Sequence, residues 1–194
     1  MWETSDLGKL TKDKACNMQI IFEIRGGVLN MTVINRSNDI WYGAYGANAV
    51  HFSILQEFVA GAVGVPIGVY RQFSQNLHLY LDLYDAKKYL DCPPDPTDYD
   101  LYRQGVQPMS LGVTPDNWEQ WLGFAESFCD HPFTYNPHAP DFLTEVCHPM
   151  AMVSYQRKNK VSDGYNWART IDAQDWRIAT LDWIERRESA KVSK

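Results

Sequence analysis

Apolar positions that alternate along the chain predict a pair of strands near its start. Met18 to Ile24 and Val28 to Ile34 are rich in β-forming residues. Between them, Arg25-Gly26-Gly27 supplies the positive φ angles of a tight turn, which predicts a β-hairpin. Strand alternation places Cys16 near the strand start on the apolar face of the first strand, together with Met18, Ile20, Phe22 and Ile24.

From Asn48 to Gly64, apolar residues recur with the period of a helix and no longer at every second position. Gly64 fits the C-terminal cap of this helix, and Pro66 prevents its continuation. The helix carries an apolar stripe that contains Val50, Ile54, Leu55, Phe58, Val59 and Ala62. Val69 to Phe73 and Leu77 to Leu83 are predicted to be further strands.

The second half of the chain is predicted to be helices joined by proline-containing loops at Asp91 to Gln107 and Asp130 to Pro140. Thr114-Pro115-Asp116 supplies the cap and first-turn proline of a helix whose apolar face contains Trp118, Trp121, Leu122, Ala125 and Phe128. Glu145 to Tyr155 fits either a strand or a helix. Asp172 is predicted to cap a last helix lined by Trp176, Ala179, Trp183 and Ile184.

Composition and charge narrow the possible fold and function classes. A chain of 194 residues that is 45% hydrophobic can bury the core of one domain, so the prediction is a single mixed α/β (α+β) domain over residues 1–194. The net charge of −6 argues against nucleic-acid binding. No secretory signal is expected from the first residues, and no transmembrane helix is expected because no apolar run reaches 18 residues. Its four cysteines lack C-x-x-C spacing, which favours thiols in a reducing, cytoplasmic compartment over a disulfide.

Cys16 is the sharpest candidate for chemistry. As a nucleophile it needs a nearby cation that lowers its pKa, and the alternative is a small buried hydrophobic side chain. Arg36 follows twenty residues later, at the end of the second hairpin strand. Because an antiparallel return brings these two strand ends together, the guanidinium can lie beside the thiol and also hold a phosphate.

Several other residues have both a chemical and a structural interpretation. Arg36-Ser37 binds a phosphate or is a solvated strand end, and Asp39 accepts from a ring N–H or caps a turn. Asn48 reads a uracil edge or caps the helix, and His78 binds a ligand or lies hydrogen-bonded in the core. His51, on the helix, is expected to be structural. A metal site is not expected from the irregular spacing of Cys129, His131, His138, Cys147 and His148.

Taken together, the order Cys16, Arg36-Ser37-Asn38-Asp39, Gly43, Asn48 and His78-Leu79-Tyr80 resembles the thymidylate synthase family, including its pyrimidine hydroxymethylase branch. The family has the same twenty-residue interval before R-S-x-D, a glycine four residues after the Asp, and H-x-Y thirty residues after the Asn. The resemblance covers roughly residues 2–84, where Trp2 and Asp6-Leu7 also match. Residues 85–194 are assigned to the same domain by continuity.

The resemblance implies a mixed sheet surrounded by helices, a homodimer formed through the sheet, and no metal. Cys16, Arg36 and Asp39 would be catalytic, with Cys16 adding to C6 of a pyrimidine nucleotide. Arg36 and Ser37 would hold its phosphate, and Asp39 and Gly43 would face the co-substrate 5,10-methylenetetrahydrofolate. Asn48 would read the base, with dUMP preferred over dCMP, and His78 and Tyr80 would hold the ribose 3′-hydroxyl.

Some positions depart from the family pattern. Asn17 and Asn35 stand where a histidine and a glutamine are usual, one residue is inserted between Gly43 and Asn48, and the C-terminus is charged. The fifteen residues before Cys16 are too few for the family's N-terminal third, which carries a glutamate base and further arginines. Three interpretations follow: a methyltransferase making dTMP, a hydroxymethylase of the same fold, or a non-catalytic nucleotide-binding protein. The first is the leading expectation. For the missing third, the expected explanations are a fragment or natural truncation, a second chain that supplies those groups, or a protein that no longer catalyses.

Overall fold

The computed structural model describes residues 16–81, 100–162 and 164–192. The chain divides into two compact units, Met1–Pro94 (unit 1) and Asp95–Lys194 (unit 2). A mixed sheet and several helices confirm the predicted α/β class. One domain over all 194 residues stays a prediction. The predictions for residues 2–15 and 82–99, including Cys92 and most of the Asp91 to Gln107 loop, lie outside the described residues.

Unit 1 is built on a three-stranded sheet in the order β1 (Asn17–Arg25), β2 (Val28–Asn35) and β4 (Ile67–Ser74). β1 and β2 are antiparallel, and β2 and β4 are parallel. Gly26 and Gly27 have φ angles of 63° and 79° in the turn between β1 and β2, which confirms the predicted hairpin.

A bulge in β1 corrects the predicted face of Cys16. The register shifts between Asn17, which pairs with Asn35, and Gln19, which pairs with Ile34. Because the bulge adds one residue, Asn17 and not Cys16 is in phase with Ile20. The predicted apolar face is also partly open, since Met18 is 50% exposed.

The helix predicted from Asn48 is α1 (Asn48–Val63), and Gly64 ends it with a φ of 78°, as predicted. A segment with π-helical hydrogen bonding, Ile40–Ala47, runs directly into it. Asn48 is therefore not a helix cap, which frees its side chain for another contact. The predicted apolar stripe is half-buried except at its first residue, Val50, which is exposed; the buried residues of the helix are Gln56 and Ala60. Gln56 donates to the Leu29 carbonyl at 2.8 Å, so a polar bond ties α1 to β2.

A second, two-stranded parallel sheet joins β3 (Asn38–Asp39) to β5 (Leu77–His78). The strand predicted for Leu77 to Leu83 is therefore only two residues long within the described part. Asn38 pairs with Leu77 and Asp39 with His78. This short pair brings the R-S-x-D segment next to the H-x-Y segment.

Unit 2 contains four α-helices among its described residues: α2 (Trp118–Asp130), α3 (His148–Lys158), α4 (Tyr165–Arg169) and α5 (Gln174–Val192). The helix predicted to start at Thr114 starts at Trp118, because the Asn117 side chain bonds Thr114 N–H and the Gly112 carbonyl and holds this stretch as a turn. Phe142–Cys147 forms π-helical turns that continue into α3, so the ambiguous segment is helical. The last helix starts at Gln174, later than a cap at Asp172 requires.

The buried faces of unit 2 differ from the predicted ones in part. Trp121 is buried and donates to the Leu111 carbonyl at 2.8 Å, whereas Trp118 and Leu122 are exposed. Ile184 packs with Val153 and Ala168, as a buried apolar position should. Ala179 and Trp183 are exposed, and the guanidinium groups of Arg157 and Arg187 lie over the Trp183 ring, 5.0 and 4.6 Å from its centroid, in cation–π contacts.

Candidate functional site

Cys16 and Arg36 lie side by side along the backbone. The Arg36 N–H donates to the Cys16 carbonyl at 2.9 Å, where the antiparallel strands β1 and β2 end together. Both residues are half-buried. The hairpin therefore brings together the two residues that the sequence paired across twenty positions.

Ser37, His78 and Tyr80 form a second group, which the β3–β5 pairing assembles. Ser37 Oγ and His78 Nδ1 are 3.4 Å apart. The His78 and Tyr80 rings meet edge to face, with centroids 4.9 Å apart. Three predicted ligand-binding residues from distant parts of the sequence are thus neighbours.

Asp39 has one satisfied and one unsatisfied oxygen. Its Oδ1 accepts from the Tyr42 N–H at 2.6 Å, which fixes the carboxylate at the start of the π-helical segment. Its Oδ2 is buried and has no hydrogen-bond partner within the described residues. An acceptor in that state fits a ligand N–H donor.

Gly43 lies against an amide–amide hydrogen bond. Asn48 Nδ2 donates to Asn38 Oδ1 at 3.0 Å. A Cβ at position 43 would come within 2.2 Å of Asn38 Oδ1 and 3.3 Å of Asn48 Nδ2. Glycine is required here because the bond occupies the space of a side chain.

The sequence prediction missed three polar residues that hold Asn38 and its neighbours: Tyr70, Gln72 and Ser74. Asn38 Nδ2 donates to Gln72 Oε1 at 3.0 Å and to Ser74 Oγ at 3.1 Å. The Tyr70 hydroxyl lies 3.4 Å from the Asn48 carbonyl, to which it donates, and burial raises the pKa of Tyr70 to about 12. The signal that could have found them is the spacing of two along β4, which places all three on one face.

A cavity of about 340 Å³ lies beside these polar residues. It is lined by Ala44, Tyr45, Tyr70, Gln72, Ser74 and Leu77. Trp41, Tyr42 and Tyr45 of the π-helical segment are exposed. Planar, partly apolar ligands suit such surroundings, since exposed aromatic rings offer stacking surfaces.

Unit 2 has a separate cavity of about 450 Å³, whose lining includes Phe124, Tyr135 and the buried His148. Cys129 and Cys147 are free thiols. Burial, with a smaller effect of Cys129, raises the pKa of Cys147 to about 11.

Within the described ranges, no three histidine, cysteine or acidic residues are grouped as a metal site. In the same ranges, no helix combines the length and apolarity needed to cross a membrane.

Comparisons with known proteins agree on the family. A thymidylate synthase family model matches residues 1–97. The deoxyuridylate hydroxymethyltransferase of Pseudomonas phage M6 is 40% identical over 205 residues, which cover 98% of this chain and 57% of that protein. The enzyme of the same name from Bacillus phage SP01 is 47% identical over 77 residues, or 40% of this chain and 20% of that protein.

The thymidylate synthase of Symbiobacterium thermophilum is 29% identical over 84 residues, which cover 43% of this chain and 29% of that enzyme. The chain therefore spans little more than half the length of the M6 relative, and less of the other two. The family match ends at residue 97, close to the boundary between the two units at Pro94, whereas the M6 alignment includes nearly the whole chain. Half of the sequence matches the family model, and the chain belongs to the thymidylate synthase family.

Proposed function

We propose that the protein transfers a one-carbon unit to C5 of dUMP and forms a hydroxymethylated nucleotide. The observation that carries this proposal is the gathering of Cys16, Arg36, Ser37, His78 and Asn48 around the end of β2. Family membership supplies the reaction class. The name of the M6 phage relative, which aligns with 98% of this chain, favours deoxyuridylate and hydroxymethyl transfer.

In the proposed reaction, Cys16 is the nucleophile. Its thiolate forms a bond to C6 of the uracil ring, and the electron pair of the C5–C6 double bond moves toward C5 and O4. C5 thereby becomes able to attack an electrophilic carbon. The backbone bond from the Arg36 N–H to the Cys16 carbonyl holds the nucleophile next to the arginine that is assigned to the phosphate.

The nucleotide's phosphate and sugar are assigned to neighbouring residues. Arg36 offers a rigid fork of N–H donors that suits a phosphate, and the Ser37 hydroxyl adds a further donor. His78 and Tyr80 are assigned to the ribose 3′-hydroxyl. The contact of Ser37 with His78 supports this division, since the phosphate and the ribose of one nucleotide would then have neighbouring partners.

The residues around Asp39 fit the co-substrate 5,10-methylenetetrahydrofolate. The unsatisfied Oδ2 of Asp39 can accept from a pteridine N–H. Gly43 is assigned to the same co-substrate by the family resemblance. The exposed Trp41 and Tyr42 rings lie two and three residues after Asp39 and can cover a flat ring. When bound, this co-substrate supplies the one-carbon unit.

The choice of product separates two candidate functions. The sequence alone put methyl transfer first, by resemblance to the family. Two relatives named as deoxyuridylate hydroxymethyltransferases, one of which aligns with nearly all of this chain, favour hydroxymethyl transfer. Methyl transfer is the second candidate, favoured by the match to the Symbiobacterium thermophilum thymidylate synthase. The two differ in whether water or hydride completes the exocyclic carbon.

Product analysis tests the proposal. The protein is incubated with dUMP and 5,10-methylenetetrahydrofolate, and the nucleotide product is weighed by mass spectrometry. Hydroxymethyl transfer adds CH₂O to dUMP, whereas methyl transfer adds CH₂. Binding without any product would support the non-catalytic alternative.

Adduct mapping tests the nucleophile independently of product. 5-Fluoro-dUMP with the folate is expected to give a covalent adduct on the Cys16 peptide. Cys16→Ser should abolish the adduct, and Cys129→Ser, which alters an exposed cysteine in unit 2, should leave it unchanged. An adduct on another cysteine would contradict the assignment.

A further inference from the structure

A chain of three side-chain amides starts at a backbone carbonyl and ends at Asn48. Gln72 Nε2 donates to the Ala44 carbonyl at 2.7 Å. Gln72 Oε1 accepts from Asn38 Nδ2 at 3.0 Å. Asn38 Oδ1 then accepts from Asn48 Nδ2 at 3.0 Å. We call these four groups the amide relay.

The relay permits only one orientation of each amide. The Ala44 carbonyl can only accept, so the nitrogen of Gln72 must face it and the oxygen must face Asn38. That oxygen in turn requires the nitrogen of Asn38, whose remaining N–H reaches Ser74 Oγ. The oxygen of Asn38 is then left for Asn48. Asn38 is only 3% exposed, so water has little access to compete for these bonds.

The last amide of the relay therefore has a fixed polarity. Asn48 uses one N–H on Asn38 and is left with its Oδ1 and a second N–H. This donor–acceptor pair is complementary to the O4 and N3–H of uracil. A cytosine edge, with an amine and an unprotonated N3, requires the reversed amide.

We propose that the amide relay makes Asn48 selective for uracil, with Asn38 and Gln72 as positioning residues for that specificity. The inference rests on the proposed function, in which Asn48 reads the base. Reversing Asn48 alone would set its oxygen against Asn38 Oδ1. Reversing all three amides would only move the conflict to Gln72 Oε1 and the Ala44 carbonyl. Because an acceptor facing an acceptor in a buried site loses a bond without replacement, we expect a dUMP preference of about tenfold or more.

Titration of dUMP and dCMP into the wild type and five variants, Asn48→Asp among them, tests the relay, with the ratio of the two dissociation constants as the readout. Asn38→Leu and Gln72→Met remove the relay without touching the base, and each is expected to bring the ratio toward one. Asn38→Asp keeps an acceptor against Asn48 and should retain more of the preference than Asn38→Leu. The matched control is Asn30→Leu, a buried asparagine that accepts from the Val69 N–H outside the relay, and its ratio should stay at the wild-type value.

The outcomes separate the relay from the proposed function. If Asn48→Asp erodes the dUMP preference while Asn38→Leu and Gln72→Met leave the ratio unchanged, the relay is wrong and the proposed function stands. A wild type without a dUMP preference overturns both. If Asn38→Leu does not fold, Gln72→Met alone tests the relay. Gln72 is only half-buried, so its substitution is better tolerated.

The nucleotide-free protein gives a second measurement. The relay predicts slow hydrogen exchange of the Asn38 side-chain amide and a shift of the Asn48 side-chain amide resonances in Gln72→Met. Fast exchange at Asn38, or an Asn48 amide that does not respond to Gln72→Met, would refute the relay whatever the protein binds.

Discussion

Gly43→Ala is the sharpest test of the packing around Asn48. The new Cβ would lie 2.2 Å from Asn38 Oδ1, well inside van der Waals contact, and 3.3 Å from Asn48 Nδ2. Asn38 cannot swing away cheaply, because Gln72 and Ser74 hold its other end and it is almost fully buried. The substitution must break the Asn38–Asn48 bond or shift the π-helical segment.

The expected cost combines two effects. A lost hydrogen bond costs about 0.5–1.5 kcal/mol, and overpacking of a tight site costs about 1–3 kcal/mol. A loss of about 2–3 kcal/mol lowers the Tm of a chain this size by about 4–12 °C. Circular dichroism on heating measures the Tm. The matched control is Gly123→Ala in α2, where a Cβ meets nothing within 4 Å and the better helix propensity of alanine should leave stability equal or higher. A Gly43→Ala protein that melts with the wild type would refute the reasoning.

Three further predictions follow from other sites. Arg36→Ala should weaken dUMP binding about tenfold to a hundredfold and deoxyuridine binding far less, because only dUMP carries a phosphate. Titration calorimetry measures both affinities, and Arg25→Ala in the hairpin turn is the control. Equal losses for both ligands would contradict a phosphate contact. The raised pKa of Cys147 keeps its thiol protonated at pH 8, so iodoacetamide should modify the exposed Cys129 first. The rate at which Cys147 is modified should keep rising as the pH approaches about 11. Equal modification rates at pH 8, measured by peptide mass spectrometry, would contradict this. The sheet face that exposes Phe73 should form a homodimer interface, so light scattering should report a dimer that Phe73→Lys converts to a monomer.

Local features of the fold were predictable because local residues determine them. Gly26 and Gly27 adopt the positive φ angles of a tight turn, and Gly64 adopts the positive φ of a helix end. Once the hairpin was placed, the meeting of Cys16 and Arg36 followed from the return of the chain. The roles of the other site residues were predicted from the resemblance of their combined spacing to the thymidylate synthase family.

The relay and the helix faces were not predictable in the same way. Gln72 reaches Asn38 only through the parallel pairing of β2 with β4, and sequence spacing does not determine the register of that crossover. The bulge near Met18 puts Cys16 out of phase with the face of β1 that contains Ile20. The alternation of apolar residues in the sequence does not reveal this bulge. In α1 the residue that faces the sheet is a glutamine that bonds a strand carbonyl, so a search for apolar residues passes over it.

Satisfied and unsatisfied polar groups lie close together in the segment around Asn38. Asn38 lies between Asn35 and Asp39, and both its side-chain nitrogen and its oxygen are hydrogen-bonded. On either side, Asn35 Nδ2 and Asp39 Oδ2 are buried without partners in the described part of the chain. Each such atom costs about 1–3 kcal/mol, a large share of a total stability of about 5–15 kcal/mol.

The satisfied Asn38 is held rigidly, and the unsatisfied oxygen of Asp39 is the neighbouring group that a ligand can complete. Asn35, which is 0% exposed, is closed to a ligand. A ligand N–H that reaches Asp39 would recover the cost of its unsatisfied oxygen, and a pteridine ring, which belongs to the co-substrate of the proposed reaction, carries such donors.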